Sequence, residues 1–568
     1  MDVDGGLHRI ASGAHRADAA RYRAAWWWDD RRLADGIEAA AAADPGRLAV
    51  ADGSVVLTYR ELRARVHGAV AVLADAGVGP GPRGDAGAAG RLSSRGEAAA
   101  GAAGEPGGRG DTDDATVPGT VLVAGNTVDA VVAYHGLLRA GGAVAVLDRR
   151  VGGADLRLAL EVLGTDARVV LPAAESDRLG PDAAGHPVVT LESVARAADR
   201  AADARATEPD RDAPRLVLFT SGTTSRPKGV IHSVNTITAG ANNMARITGA
   251  DATTVLYLVS PVTSIAGITQ AHLFADRHGA LVLDDDFDPG RSLDRANAVG
   301  ATLLGGAPVI AERLIRAAER RDDRRLSIRT LALGGAMLPR PLLEQATDEF
   351  GVDIARVYGS SEFSCATGSL PTDDREARLA DDGLLMPGTE VRIGSADHPQ
   401  EGLLRGPGLF LGYTDPADDA VAFVDGWFRT GDLVEVHDGR LTVVGRLKEV
   451  VNRNGLKISL GEVDAALAGL PGVDEHGCFA AADPETGERL AVAVRPAPGA
   501  TVTLADVVAH LQRAGLATRK LPEELVTWDG PLPRTPSGKV VRSRLVMESP
   551  GKPSDAVARV HRDGEDPA

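Results

Sequence analysis

The sequence has few of the residues that build disulfide or metal-held scaffolds. Only two cysteines, Cys365 and Cys478, occur in 568 residues, which excludes a disulfide framework and a cysteine-rich metal cluster. We expect both to be buried thiols. No apolar run approaches the length of a membrane span, and the N-terminal residues lack the apolar core of a secretory signal. These absences predict a cytoplasmic protein.

Aromatic residues and positive charge are also scarce. Aromatics make up 4% of the chain, and 62 Lys and Arg face 79 Asp and Glu, giving a net charge of −17. This balance disfavours nucleic acid and anionic membranes as partners, so any phosphate site must be locally basic. Three of the few aromatics stand together at Trp26, Trp27 and Trp28. They could form an exposed partner site, but we favour an anchor that holds the N-terminal helix on the core.

What is abundant is the alternation of apolar strands with amphipathic helices, which predicts mostly parallel α/β layers. One stretch departs from it. Between 82 and 118 the sequence is dominated by Gly, Ala, Arg, Asp and Glu. This composition cannot form a packed core and predicts a disordered insertion.

The stretch from Leu216 to Ser233 carries the strongest chemical signal. An apolar run over 216–219 predicts a buried strand. A loop rich in hydroxyls and glycine follows and ends in Lys228 and Gly229. Small residues let backbone N–H groups approach phosphate oxygens, and a lysine adds positive charge. Because Gly229 follows Lys228, the spacing is not that of a Walker A loop. An ordinary turn between a strand and a helix is the alternative interpretation.

The loop resembles the phosphate loop of the adenylate-forming enzymes, the superfamily of acyl-CoA synthetases, adenylation domains and luciferases. This chain has Ser225 where the family usually has glycine. Later segments resemble further motifs of the family in order, at 358–362, around Asp432, at 445–449 and at 535–539. The resemblance is nearest to bacterial acid–CoA ligases of the cyclohexanecarboxylate or medium-chain type.

The resemblance implies ATP, Mg²⁺ and CoA as ligands and assigns roles to particular residues. Lys539 is the catalytic lysine, Glu362 holds Mg²⁺ together with Thr220, and Lys228 grips phosphate. The segment 358–362 and the glycine-rich turn at 334–336 surround adenine, while Asp432 and Arg446 contact the ribose. The implied ATP and AMP ligands are Thr220, Ser221, Gly222, Thr223, Thr224, Lys228, Gly335, Ala336, Tyr358, Gly359, Ser360, Ser361, Asp432 and Arg446.

The acyl pocket is implied to lie at Ser264, Ile265 and Gly334. Related ligases carry histidine where Ser264 stands, so this lining is small and mainly apolar. It offers no carboxylate for an α-ammonium group, and an unpaired buried ammonium is costly. We therefore expect a carboxylic acid without an α-amine.

The implied fold is α/β. A large N-terminal domain of layered α/β subdomains precedes a small, mobile α+β C-terminal domain. We expect a loose arm at 1–21, an N-terminal AMP-binding domain at 22–445, a C-terminal domain at 446–546 and a disordered tail at 547–568. Lys448 is the expected hinge, and Gly455 is expected to line the tunnel for the thiol.

The implied reaction activates a carboxylic acid as an acyl-adenylate and transfers it to CoA. Two alternatives stay open at this point. The acceptor could be a separate carrier protein, because its pantetheine is the same as that of CoA. A nucleotide-binding protein without turnover is the second alternative, which the intact Lys228, Glu362, Asp432, Arg446 and Lys539 oppose.

Overall fold

The computed structural model describes residues 13–28, 35–78, 119–197, 211–220, 227–336, 338–395, 398–453, 456–483, 487–535 and 538–556. The predicted insertion at 82–118 lies outside the described residues.

The α-helices of the described part are α1 (Gly13–Ala24), α2 (Asp35–Ala43), α3 (Tyr59–Asp75), α4 (Val128–Ala140), α5 (Gly153–Leu163), α6 (Ser176–Leu179), α7 (Leu191–Ala195), α8 (Val234–Thr248), α9 (Ile265–Arg277), α10 (Pro289–Val299), α11 (Pro308–Glu319), α12 (Arg340–Phe350), α13 (Arg375–Ala380), α14 (Pro416–Ala422), α15 (Leu460–Ala466), α16 (Leu504–Arg513) and α17 (Arg542–Glu548).

The strands are β1 (Leu48–Ala51), β2 (Val56–Thr58), β3 (Thr120–Ala124), β4 (Val144–Asp148), β5 (Arg168–Leu171), β6 (Val188–Thr190), β7 (Pro214–Thr220), β8 (Lys228–Ser233), β9 (Val255–Leu258), β10 (Ala280–Leu283), β11 (Leu303–Gly306), β12 (Thr330–Gly334), β13 (Asp353–Tyr358), β14 (Thr367–Gly368), β15 (Leu384–Leu385), β16 (Glu390–Ile393), β17 (Glu401–Arg405), β18 (Gly412–Tyr413), β19 (Phe423–Val424), β20 (Trp427–His437), β21 (Arg440–Arg446), β22 (Val450–Arg453), β23 (Leu456–Ser459), β24 (Val473–Asp483), β25 (Gly487–Pro496), β26 (Glu524–Thr527) and β27 (Ser554–Ala556).

The largest sheet combines a parallel half with an antiparallel half. Its strand order is β16-β17-β20-β21-β15-β14-β13-β12-β11-β9-β10-β1-β2. The strands from β13 to β1 in this order pair in parallel. The strands from β16 to β13 in this order pair antiparallel, and so does the edge strand β2 with β1. The carboxyl ends of the parallel strands therefore meet at one edge, where open α/β sheets place their ligands.

A second sheet carries the segment of the phosphate loop. Its order is β18-β8-β7-β4-β3-β5-β6, and its middle strands pair in parallel. β3 and the centre of β4 are fully buried, as the apolar runs require for strands covered on both faces. Helices α3 and α4 pack between the sheets, and α3 starts with a capping box in which Thr58 and Glu61 bond each other's backbone.

A small third sheet forms the C-terminal unit. Its order is β23-β22-β25-β26-β27, with β24 beside β25. Helices α15 and α16 pack on it through a separate core that includes Val463, Leu467, Val507 and Leu511. The predicted large α/β domain followed by a small α+β domain is confirmed.

Two segments near the ends of the chain, 13–21 and 547–556, are more ordered than the sequence predicts. Residues 13–21 belong to α1, so the loose arm at 1–21 is wrong for this part, and residues 1–12 lie outside the described residues. The disordered tail is wrong for 547–556. There, β27 pairs with β26 although all its side chains are exposed. Backbone pairing needs no apolar pattern, which is why composition missed it.

Two of the three clustered tryptophans, Trp27 and Trp28, act as the predicted anchor. Trp28 is buried, and its indole N–H donates to the carbonyl of Pro407 at 3.0 Å. Trp27 packs on Gly388, where a Cβ would lie 2.4 Å from the indole ring. Trp26 is 82% exposed. Helix α1 is thus held against the large domain through the last two tryptophans.

The remaining expectations from composition concern thiols and membrane spans. Cys365 and Cys478 are both free and buried, as predicted, and burial raises the pKa of Cys365 to about 11. None of the helices among the described residues combines the length and the apolar character needed to cross a bilayer.

Candidate active site

The segment of the phosphate loop joins two antiparallel strands. β7 and β8 pair antiparallel, with Thr220 at the end of β7 opposite Lys228 at the start of β8. The alternative of a turn between a strand and a helix is therefore wrong, because β8 continues to Ser233 before α8 begins. The predicted buried strand is confirmed in β7, where 216–218 are buried. Ser221, Gly222, Thr223 and Thr224 lie outside the described residues.

Lys228 is linked to Glu362 through an aromatic side chain. Its ammonium lies 2.8 Å from a carboxylate oxygen of Asp418 and 4.9 Å from the ring centroid of Tyr413. The hydroxyl of Tyr413 in turn donates to Oε1 of Glu362 at 2.8 Å. Burial and this carboxylate raise the pKa of Tyr413 far above its ordinary value, so it remains a donor. The phosphate-loop lysine and the expected metal ligand thus face one site.

The backbone around Glu362 is fixed by hydrogen bonds from three directions. The hydroxyl of Ser360 accepts from the N–H groups of Glu362 and Phe363 at 3.2 and 3.3 Å. The carbonyl of Glu362 accepts from Phe410 N–H at 2.7 Å, and the carbonyl of Ser361 bonds His232 Nε2 at 2.7 Å. The carboxylate therefore projects from a rigid turn, as a metal or phosphate site requires.

Tyr358, Asp432 and Arg446 form one hydrogen-bonded group. The hydroxyl of Tyr358 donates to Oδ2 of Asp432 at 2.8 Å, and Nε of Arg446 lies 2.9 Å from Oδ1. Asp432 and Arg446 face each other across β20 and β21. Burial raises the pKa of Asp432, and the Arg446 charge opposes that rise. A buried carboxylate that already accepts hydrogen bonds from two donors can also bind a pair of vicinal hydroxyls. The hydroxyls would donate to the same oxygens, either beside the present donors or in their place.

Lys539 reaches across the boundary between the two domains. It follows a tight turn in which its own N–H donates to Thr535 Oγ1 at 3.1 Å and Arg534 donates to the carbonyl of Gly538 at 2.9 Å. A Cβ built on Gly335 would lie 3.4 Å from Cε and 3.6 Å from Nζ of Lys539. The C-terminal lysine thus lies directly against the glycine-rich turn of the large domain.

Packing and backbone conformation also explain why the turn at 334–336 contains glycine. A Cβ on Gly334 would lie 2.2 Å from the carbonyl oxygen of Val357 on the neighbouring strand, so glycine is needed for β12 to pair with β13. Gly335 has φ +79°, in the left-handed region that favours glycine. Gly335 and Ala336 are exposed to the cleft. The surface of the turn therefore carries no side chain larger than the methyl group of Ala336.

The expected acyl-pocket residues lie at the start of α9. Ser264 caps this helix: its hydroxyl accepts from Gly267 N–H at 3.2 Å and donates to the carbonyl of Pro261 at 2.7 Å. The hydroxyl of Ser264 is therefore occupied by hydrogen bonds at the start of its own helix. The residue can influence an acyl pocket only through the small size of its side chain. Ile265 is half-buried and packs against the main core.

A cleft of about 1270 Å³ between the domains gathers many of the expected residues. Its lining includes Gly334, Gly335, Ala336, Tyr358, Gly359, Asp432, Arg446 and Lys539. Lys228, Glu362, Ser264 and Ile265 are not among its lining residues. Lys448 is exposed in the turn between β21 and β22, where the chain passes from one domain to the other. Gly455 lies outside the described residues.

Three residues that sequence reasoning missed complete the site. Tyr413 and Asp418 contact Lys228, and Glu449 approaches both Arg446 at 3.8 Å and Arg542 at 3.4 Å. The position of Glu449 directly after Lys448 could have identified it from the sequence. Tyr413 and Asp418 reach the site through the pairing of β18 with β8, which the sequence does not reveal.

We expect adenylate formation to decline at alkaline pH because of the environment of Lys539. Its side chain is exposed to the solvent of the cleft, but the protein atoms around it and the charge of Arg446 lower its pKa below the ordinary 10.5. Glu449, Asp432 and Glu362 oppose the shift. The ammonium is needed in its charged form, so kcat/KM should fall as pH rises through the lowered pKa.

The pH profile of acid-dependent ATP–pyrophosphate exchange tests this expectation. Lys539→Arg is the matched variant, because a guanidinium stays protonated over the whole range. An alkaline decline that is unchanged in the arginine variant would assign it to another group.

Comparisons with known proteins agree with this geometry. The family model described as "AMP-binding enzyme" matches residues 118–414, and the model "AMP-binding enzyme C-terminal domain" matches 462–539. A "Salicylyl-CoA synthase / salicylate adenylyltransferase" of a Streptomyces species is 31% identical over 95% of this chain and 98% of its own. "Fatty acid--[acyl-carrier-protein] ligase MmaC" of Mycobacterium marinum is 31% identical over 60% and 70%. The crystal structure of ATP-bound MatB from Rhodopseudomonas palustris has a similar fold, with a TM-score of 0.74 at 23% identity, covering 91% of this chain and 98% of that one.

Proposed function

Because the chain belongs to the AMP-binding enzyme family and is an AMP-forming acid–thiol ligase, we propose how its residues activate a carboxylic acid and transfer it to CoA. The observation that carries the proposal is the position of Lys539. A lysine from the small domain lies against Gly335 of the large domain, beside the Asp432 and Arg446 pair. That arrangement suits the first half of a two-step ligase reaction.

In the first step, a carboxylate oxygen of the acid attacks the α-phosphorus of ATP, and the bond to pyrophosphate breaks. Two anions must approach each other, so positive charge at the reacting atoms decides the rate. Lys539 is placed to donate to the carboxylate and an α-phosphate oxygen at once. Lys228, beside Tyr413 and Glu362, is placed for the departing phosphates.

The nucleoside is held by the group around Asp432. The buried carboxylate accepts from the ribose hydroxyls, while the ion pair with Arg446 opposes the rise in its pKa that burial causes. The turn from Gly334 to Ala336, which carries only one methyl group, and the ring of Tyr358 leave room for a flat base between them. These contacts orient ATP with its α-phosphate towards Lys539.

The donor set around Glu362 fits Mg²⁺ bound together with phosphate. Oε1 of Glu362 accepts from Tyr413, and Oε2 has no hydrogen bond to a described residue. Among the described residues, no cluster of three acidic, histidine or cysteine side chains could hold a metal. One carboxylate with a hydroxyl such as Thr220 suits Mg²⁺, which keeps waters and takes phosphate oxygens as ligands. When bound, the ion would neutralise phosphate charge.

In the second step, the small domain turns about Lys448 and withdraws Lys539. The thiol sulfur then attacks the acyl carbonyl carbon, the bond to the AMP oxygen breaks, and the thiol proton passes to solvent water. Thioester and AMP are the products. We place the reaction in the cytoplasm, where ATP and CoA are available.

The substrate is a carboxylic acid that lacks an α-amine. The start of α9 presents the cap Ser264 and the aliphatic Ile265, with no carboxylate in this turn to hold an ammonium. The named substrates of the similar proteins, salicylate and a fatty acid, also lack an amine. We propose an aryl or aliphatic acid on these grounds.

Acid-dependent ATP–pyrophosphate exchange over aliphatic, alicyclic, aryl and amino acids is the test. We expect exchange with one of the amine-free classes and thioester by mass after CoA is added to each hit. Exchange only with amino acids would contradict the pocket argument. No exchange with any acid would favour a nucleotide-binding protein without turnover.

A carrier protein as acceptor is the second candidate. The similarity to an acyl-carrier-protein ligase favours it, and the pantetheine arm is common to both acceptors. Exchange without formation of acyl-CoA, followed by acylation of a holo carrier protein, would move the assignment to this candidate.

A further inference from the structure

Helix α11 and the residue that caps its C-terminus present three arginines to the interdomain cleft. Arg313, Arg316 and Arg320 are spaced by three and four residues, so they share one side of the helix, and all three line the cleft. Arg316 is paired with Glu312 at 2.6 Å. The guanidinium groups of Arg313 and Arg320 have no hydrogen bond or ion pair with a described residue. Two uncompensated cations on one wall are unexpected in a chain of net charge −17.

Helix α11 also begins at the reacting centre. Its first residues, Pro308 and Val309, line the same cleft as Lys539. A Cβ on Gly538 would lie 3.2 Å from Cγ1 of Val309, so the loop that carries Lys539 covers the start of the helix. From Val309 the helix leads outward, and at 1.5 Å per residue Arg313 and Arg320 lie about 6 and about 16 Å further along its axis.

We propose that Arg313 and Arg320 bind the phosphates of CoA during thioester formation. This rests on the proposed function and extends it to the acceptor. When the loop of Lys539 withdraws, the start of α11 is uncovered, and the pantetheine arm runs along this helix with its thiol at the acyl-adenylate. The phosphates of CoA then lie beside the two guanidinium groups, whose forked N–H donors match phosphate oxygens.

The chemistry favours CoA over a carrier protein. CoA carries a diphosphate and a 3′-phosphate beyond its pantetheine, whereas a carrier protein presents a single phosphate diester. Two cations about ten ångströms apart along one helix face suit the extended nucleotide better than one phosphate. Pyrophosphate is the other small anion that the site could hold, and the experiment separates it.

The test compares CoA with pantetheine, the same thiol without the nucleotide. In the full-length enzyme, with saturating ATP and acid, the double variant Arg313→Glu with Arg320→Glu should raise the KM for CoA about tenfold or more, because the cations act through binding. The KM for pantetheine should change by less than about twofold. Arg313→Lys with Arg320→Lys, which keeps both charges, should restore most of the affinity for CoA.

A matched control variant carries the same charge change at a site away from the cleft. Arg60→Glu makes the same charge change on α3 and should leave both KM values unchanged; Arg60 is exposed and outside the cleft lining. Equal changes for CoA and pantetheine, an unchanged KM for CoA, or a changed inhibition constant for pyrophosphate alone would each overturn the proposal. Exchange without thioester from either thiol in the unaltered enzyme would instead refute the proposed function. If the double variant fails to fold, the single variant Arg320→Glu, at an exposed position, tests the proposal through the same comparison of the KM values for CoA and pantetheine.

Discussion

Replacing Lys539 by alanine is expected to slow adenylate formation about a thousandfold while leaving thioester formation largely intact. Lys539 is the C-terminal-domain cation that reaches the glycine-rich turn, with Cε 3.4 Å from the Cβ position of Gly335. Removing a preorganised donor at a developing charge costs two to three orders of magnitude, or about 3–4 kcal/mol of activation free energy. ATP–pyrophosphate exchange measures the first step, and conversion of supplied acyl-adenylate with CoA measures the second.

The two assays on one variant distinguish a catalytic role from a structural one. A folding defect would lower both steps together, whereas the loss of a group used only before the domain rotation lowers the first alone. Lys552→Ala is the control, since Lys552 belongs to the same small domain but lies over the ring of Trp528, away from the cleft lining. Equal loss of both steps in Lys539→Ala would contradict the assignment.

The sequence predicted the residues of this site better than their contacts. Lys539, Glu362, Asp432 and Arg446 belong to short motifs that can be read from the chain alone. Their convergence depends on the pairing of β20 with β21 and on the docking of the small domain. The motifs therefore identified the residues of the site, whereas the distances between them follow only from the tertiary structure.

The missed features share a physical cause. Tyr413 contacts Lys228 because β18 adds to the edge of β8, and such a short strand has no apolar pattern of its own. The capping role of Ser264 follows from where α9 begins, which the sequence left undetermined. The exposed strand β27 pairs with β26 through backbone hydrogen bonds. Each depends on a backbone geometry that side-chain composition does not report.

Replacing Glu362 by glutamine is expected to lower adenylate formation about a hundredfold or more and to raise the Mg²⁺ concentration that the reaction needs. Glutamine keeps the size of the side chain and an acceptor for the Tyr413 hydroxyl, which now lies 2.8 Å from Oε1. It removes the negative charge that a hard cation prefers in its ligand. Loss of preorganised electrostatic stabilisation of this kind typically costs two orders of magnitude or more. Exchange rates measured over a Mg²⁺ titration give both quantities.

Tyr413→Phe separates the charge of Glu362 from its orientation. The phenyl ring keeps the contact with the Lys228 ammonium, now 4.9 Å from the ring centroid, but loses the hydrogen bond that fixes Oε1. If Glu362 acts by binding the ion, the glutamine variant should shift the Mg²⁺ dependence strongly and Tyr413→Phe only slightly, because the carboxylate charge remains. Equal shifts in both variants would mean that the carboxylate serves mainly to hold Tyr413 under Lys228. The role assigned to Glu362 would then pass to the phosphate-binding lysine, and the Mg²⁺ ligand would have to be sought elsewhere in the chain.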